Sequence, residues 1–189
     1  ARFPAYLQQL DMESNGKSVD RDGKDINYQT SPVIVGGTGT DSQHAFFQLF
    51  HQGTVTVPCD FIVPARPTHG SEEHHNHIIA NVVAQGEALM RGDQSSDKPH
   101  EKFSGNRPSS TIVVQSLDPY HLGMILALYE HKIFTQGIIW NINSFDQSGV
   151  ELGKKMARNI TQTTDKNRDS QKPTPSTGRL LDYILRNKT

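Results

Sequence analysis

The stretch Gly137-Ile-Ile-Trp-Asn-Ile-Asn-Ser-Phe-Asp-Gln-Ser-Gly-Val-Glu-Leu-Gly-Lys154 joins an apolar run to a polar turn at 141–144 and then to a second helical pattern. Within it Gln147, Glu151 and Lys154 are spaced i, i+4, i+7, which on a helix gives them one face. At 1.5 Å of rise per residue, Gln147 and Lys154 stand roughly 10 Å apart along the axis, a span that suits the two ends of a small anionic metabolite. The triplet alone also fits any solvated helix face. Upstream of this stretch, apolar β-branched runs at 32–35, 54–64 and 111–115 alternate with helical patterns. That alternation indicates an α/β domain with a mainly parallel sheet.

Composition narrows the class. A chain of 189 residues fits one domain of ordinary size with a sizeable core. Its 34% hydrophobic and 21% charged content describe a soluble globular protein. The net charge of -1 gives no electrostatic case for nucleic acid or an anionic membrane as partner. A single Cys59 excludes an intramolecular disulfide and fits a reducing compartment. No run approaches the ~18 apolar residues of a membrane span, and the N-terminus lacks the form of a signal peptide. The chain opens on Ala1 in mid-pattern, so trimming, a tag remnant or a piece of something longer all stay open.

Taken in order, residues 4–14 read as a helix stopped by Asn15-Gly16. Its last turn carries Glu13, which alone is one carboxylate among 20 acidic residues. The run 32–35 reads as a strand entering Gly36-Gly-Thr-Gly-Thr40 and a helix over 42–52. Such a turn can aim backbone N–H groups at an anion, although it is not a P-loop and glycine-rich turns are common in α/β folds. Residues 69–77, His-Gly-Ser-Glu-Glu-His-His-Asn-His, raise transition-metal ligation through His74 and His77. With no cysteine nearby and no HExxH pattern, solvated histidines at a helix start are the simpler reading. Residues 91–109 read as a surface loop. Asp118-Pro119 supplies an N-cap and a first-turn proline for a helix whose apolar residues on several sides predict burial on most faces. Glu130, His131 and Lys132 read as structural or interface residues rather than chemistry. A polar tail at 161–178 and an amphipathic helix at 180–185 close the chain.

The opening stretch, with Phe145-Asp146-Gln147, Gly149-Val150-Glu151 and Lys154, closely resembles the C-terminal signature of the phosphoglucose isomerases. Asp11-Met12-Glu13-Ser14-Asn15-Gly16-Lys17 resembles the family segment that carries the catalytic base. Gln43-His44-Ala45-Phe46, Lys102-Phe-Ser-Gly-Asn-Arg-Pro108 and Tyr129-Glu-His-Lys-Ile-Phe134 are similar to further family stretches. Gly37-Thr38 departs from it, since relatives often have Glu-Pro there.

The resemblance implies a three-layer α/β/α sandwich of the sugar-isomerase (SIS) type with a C-terminal helical arm. It implies a domain over 1–160, incomplete at its N-terminal edge, and an arm over 161–189. It also implies interconversion of glucose 6-phosphate and fructose 6-phosphate in the cytoplasm. The base would be Glu13, with His44 and Lys154 opening the sugar ring and Gln9 and Gln147 holding phosphate. Histidine suits ring opening because its pKa near 6.5 lets it donate or accept a proton at neutral pH. No metal or organic cofactor is required, because an enediolate route moves only protons. Two family features are missing from the sequence: a Gly-Gly-Arg motif whose arginine steadies the enediolate, and a Ser/Thr-rich phosphate loop. The expectation is therefore a C-terminal portion, inactive alone, that needs the N-terminal portion and a homodimer in which His44 enters the partner's site. The alternative is a non-catalytic sugar-phosphate-binding or dimerisation module of the same fold.

Overall fold

Two parallel strands, β1 (Cys59–Pro64) and β2 (Ser109–Val114), pair in register from Cys59↔Ser109 to Pro64↔Val114. Between them runs the helix α3 (Glu72–Arg91), so the three form a βαβ unit. The architecture is that of a computed structural model, which describes residues 2–146, 148–164 and 173–188.

Side chains alternate across a strand, and here each face carries a packed cluster, although Ser109, Ser110, Thr111 and Val113 of β2 are exposed. On one face Ile62, Ile112 and Val114 meet Leu7 of α1 (Phe3–Leu7) and Ile125 and Tyr129 of α4 (Pro119–Ile139). On the other, Cys59 and Phe61 meet Phe50, Phe46 and Phe47 of α2 (Gly39–Gln52) and Leu89 of α3. Helices on both sides of a parallel sheet give the three-layer α/β/α sandwich that the sequence predicts.

Local chemistry sets the element ends. The Ser71 hydroxyl accepts from the His74 amide at 3.2 Å, and Glu72 and Glu73 lie in the first turn, where the helix dipole favours negative charge. Asp118 caps α4 by accepting from the His121 amide at 2.9 Å, with Pro119 next, as expected.

Three expectations need correction. The run 32–35 forms no strand: Pro32 has no N–H, Val33 is 78% exposed, and the Ile34 carbonyl accepts from the Gln8 amide at 2.9 Å. The strand foreseen over 54–64 starts only at Cys59, because Pro58 cannot donate to a ladder. Helix α4 buries a single stripe, Ile125, Tyr129, Ile133 and Gly137, rather than most of its faces. Met124, Leu128, Phe134, Ile138 and Ile139 stay exposed.

The chain divides into two compact units, 1–144 and 145–189. The second contains α5 (Ser148–Thr164) and α6 (Pro175–Arg186), and α6 begins with Thr174 accepting from the Thr177 amide. Helix therefore occupies 161–164 and 175–178, parts of the stretch read as a polar tail. Among the described residues no helix is long and apolar enough to cross a membrane.

Candidate active site

Glu13 ends a π-helical turn, Gln8–Glu13, that continues directly from α1. Such widened turns are rare and recur at functional sites. The turn is held from below. Asp11 and Asn15 are completely buried, and Ser14 is nearly so. The Asn15 amide donates to Asp11 Oδ1 at 3.2 Å and to the Ile133 carbonyl at 3.0 Å. Its Oδ1 accepts from the Ser144 hydroxyl at 2.7 Å.

The surrounding backbone fits this arrangement closely. The Gly16 amide donates to the Met12 carbonyl at 3.1 Å, and a Cβ at 16 would collide with that carbonyl. At Gly137 a Cβ would overlap the Ser144 hydroxyl. Beyond α4, Ile142 is fully buried; its amide donates to the Gly137 carbonyl, and its own carbonyl accepts from Arg21 Nε at 3.1 Å. The Tyr28 hydroxyl donates to the Trp140 carbonyl. The segment that follows Glu13 is thus tied to the end of α4 and the turn at 141–144.

Electrostatics within this frame are set by burial. Desolvation pushes the Asp11 carboxyl above its ordinary range, against the opposing pull of the Asn15 hydrogen bond and the Lys132 charge. Among the described residues Asp11 Oδ2 has no hydrogen-bond partner. Burial likewise raises the Tyr129 phenol well above its usual range, and its hydrogen bond to Asp60 at 2.8 Å adds to the shift.

The other candidate residues are positioned as follows. Gln9 is exposed on the same π-helical turn as the half-buried Glu13. His44 is exposed on α2, and among the described residues no hydrogen bond or ion pair joins it to Glu13. Its helix starts at Gly39, where Thr38 donates to Asp41 at 2.7 Å. Lys154 lies on α5 in the second unit and contacts Glu151 at 2.7 Å, both side chains more than half exposed. An ion pair this wet steers its lysine weakly, by about 0.5 kcal/mol or less. Gln147 lies outside the described residues.

Glu130 and Lys132 act structurally: Glu130 accepts from the Tyr6 hydroxyl at 2.8 Å, and the Lys132 ammonium stands 5.5 Å from the Tyr129 ring. Among the histidines, His74 and His77 are exposed, but His75 is buried, so the picture of solvated histidines fails for that one residue. Among the described residues no group of His, Cys, Asp or Glu is placed to hold a metal ion. The residues that sequence reasoning missed are Asp11, Asn15 and Ser144. The one available signal was a polar i, i+4 pair bracketing Glu13.

A parallel sheet between two helical layers defines an α/β/α sandwich, and Glu13 is a half-buried carboxylate on a fastened turn of the same unit. The phosphoglucose isomerase family model matches residues 1–181. A glucose-6-phosphate isomerase of Methylocella silvestris is 56% identical over 85% of this chain and 32% of its own length. One from Chlorobium luteolum is 48% identical over 95% of this chain and 36% of its own. The crystal structure of a glucose-6-phosphate isomerase from Chlamydia trachomatis superposes with a TM-score of 0.82 at 43% identity, over 96% of this chain and 35% of that one. The chain belongs to the phosphoglucose isomerase family. It spans about a third of the length of the curated relatives it matches.

Proposed function

We propose that these residues are the C-terminal portion of a glucose-6-phosphate isomerase, which interconverts glucose 6-phosphate and fructose 6-phosphate. The observation that carries this reading is Glu13: a half-buried carboxylate at the end of a fastened π-helical turn, whose oxygens accept no hydrogen bond among the described residues. Its lone pairs are free to accept a proton.

In the open-chain aldose, Glu13 takes the proton from C2. The C2–H electrons form the C1–C2 double bond, and negative charge collects on the former carbonyl oxygen at C1. The resulting enediolate becomes the ketose as the C2 hydroxyl proton passes to the C1 oxygen, the C2 oxygen forms the carbonyl, and the C1–C2 π electrons take the proton back from Glu13 at C1. His44 acts as the acid/base that opens the ring, assisted by Lys154, and Gln9 and Gln147 bind phosphate as neutral donors. Without a donor at the developing oxyanion the barrier stays several kcal/mol higher, so this chain needs the N-terminal portion that carries one. The dimer supplies His44 to the partner's site.

The exposed apolar side of α4 supports a chain that is covered by further protein, because patches of this kind mark interaction surfaces. Exposed Leu180, Tyr183, Ile184 and Leu185 on α6 favour a second reading, a dimerisation module without turnover of its own. Glu13→Gln in the complete enzyme separates the two. Loss of turnover with sugar-phosphate binding retained supports the base assignment, and normal turnover removes it.

A further inference from the structure

We propose that Asp11 and Asn15 are a positioning pair that aims Glu13, fixing its turn on both sides against α4 and the turn at 141–144. The inference rests on the reading of Glu13 as the base.

Its geometry is independent of that reading. Asp11 precedes Glu13 by two residues and Asn15 follows it by two. Residues two apart on a helix point about half a turn away from each other. Anchoring 11 and 15 inward therefore directs 13 to the opposite side, where Glu13 is half-buried and its two neighbours are fully buried.

The anchor reaches three separate pieces of chain. Through Asn15 it engages its own helix at Asp11, the α4 backbone at Ile133 and the following turn at Ser144. Asn15 commits its amide nitrogen twice and its oxygen once, so it has little freedom to rotate. Ser31 adds a further contact by donating to the Asp11 carbonyl at 3.3 Å.

A buried carboxyl is a costly way to fill space, and an apolar side chain of similar volume is the cheaper solution where only stability matters. What Asp11 adds is a direction-specific acceptor for Asn15. Its second oxygen, Oδ2, is buried and has no partner among the described residues, so the site needs the shape and one acceptor of a carboxyl rather than its charge. An asparagine at 11 preserves both. This predicts that the pair acts on the rate of proton transfer and not on substrate binding, since neither residue is accessible to substrate.

The test is steady-state isomerase kinetics in the complete enzyme, with binding of glucitol 6-phosphate, a substrate-like molecule without a carbonyl, measured alongside. Asn15→Leu removes all three hydrogen bonds at similar volume. Its kcat is expected to fall about 100-fold, the scale of a displacement near 1 Å at a reacting group. KM and glucitol 6-phosphate affinity should stay at the parent values. Asp11→Asn should retain most of the turnover. If Asn15→Leu does not fold, Ser144→Ala takes its place, with an expected loss in kcat of about 5-fold for one hydrogen bond and no change in KM.

Unchanged kcat in Asn15→Leu or Ser144→Ala would overturn the positioning role. So would a parallel loss of glucitol 6-phosphate binding, or an Asp11→Asn enzyme as slow as Asn15→Leu. Glu13→Gln distinguishes the two levels. Normal turnover there removes the base assignment itself, whereas lost turnover there with full kcat in Asn15→Leu removes only the positioning pair.

Discussion

The Ser144 hydroxyl donates to Asn15 Oδ1 at 2.7 Å, across 129 residues of sequence. This bond joins the turn at 141–144 to the segment that contains Glu13. It is possible only because Gly137 leaves room for both partners: a Cβ there would overlap Ser144 Oγ and press on Asn15 Oδ1.

Gly137→Ala should therefore destabilise the chain by about 1–3 kcal/mol, the usual cost of forcing atoms into a packed interior. Urea unfolding measures it. A midpoint equal to that of the parent would mean that the contact relaxes without cost.

Asp11 makes stability depend on pH in a direction that follows from its burial. Its folded pKa is raised above the ordinary 3.8, so the folded chain binds this proton more tightly than the unfolded chain does. Its contribution is fully present below about 3.8, declines as pH rises towards the folded value, and is absent above it. Asn carries no charge, so Asp11→Asn should gain stability relative to the parent as pH rises through that window and then hold the gain. Thermal unfolding at a series of pH values checks this, and a difference independent of pH would contradict it.

Tyr129 should be among the last of the five tyrosines to ionise, because burial and the Asp60 hydrogen bond both oppose the phenolate. In an alkaline ultraviolet titration Tyr129→Phe should remove absorbance change from the high-pH end only. The same substitution should cost about 1 kcal/mol, the net worth of one hydrogen bond.

On the other face of the sheet, Leu89 has no exposed surface and packs with Phe50 and Cys59. Leu89→Ala should cost about 2–5 kcal/mol, depending on how far the aromatic cluster of Phe46, Phe47 and Phe61 collapses into the space. Denaturant titration reads the value directly, and a cost below about 1 kcal/mol would mean that Leu89 is not the centre of this cluster.

The α/β class was legible because β-branched runs and helical periods alternate, and Asp118-Pro119 marked a helix start, whereas the three-layer sandwich followed from the family resemblance. The run 32–35 misled, since its composition suits a strand while Pro32 and the Gln8–Ile34 bond keep it out of the sheet. For α4, hydrophobicity on several sides implied burial on several sides; apolar residues record what a chain is meant to meet, and Met124, Leu128, Phe134, Ile138 and Ile139 are exposed among the described residues. Glu13 was singled out only by the motif around it, and its role as base is our proposal. Asn15 read only as a helix stop, because bonds to Ile133 and Ser144 are long-range and leave no local trace in composition or period.

The central claim is that these residues form part of a composite isomerase site with Glu13 as its base. A coupled fructose 6-phosphate to glucose 6-phosphate assay on this 189-residue chain, alone and with the N-terminal portion of a relative added, tests it most directly. The account predicts no turnover alone, turnover on addition, and none on addition when the chain carries Glu13→Gln. Turnover by the isolated chain, or restored turnover that survives Glu13→Gln, would contradict it.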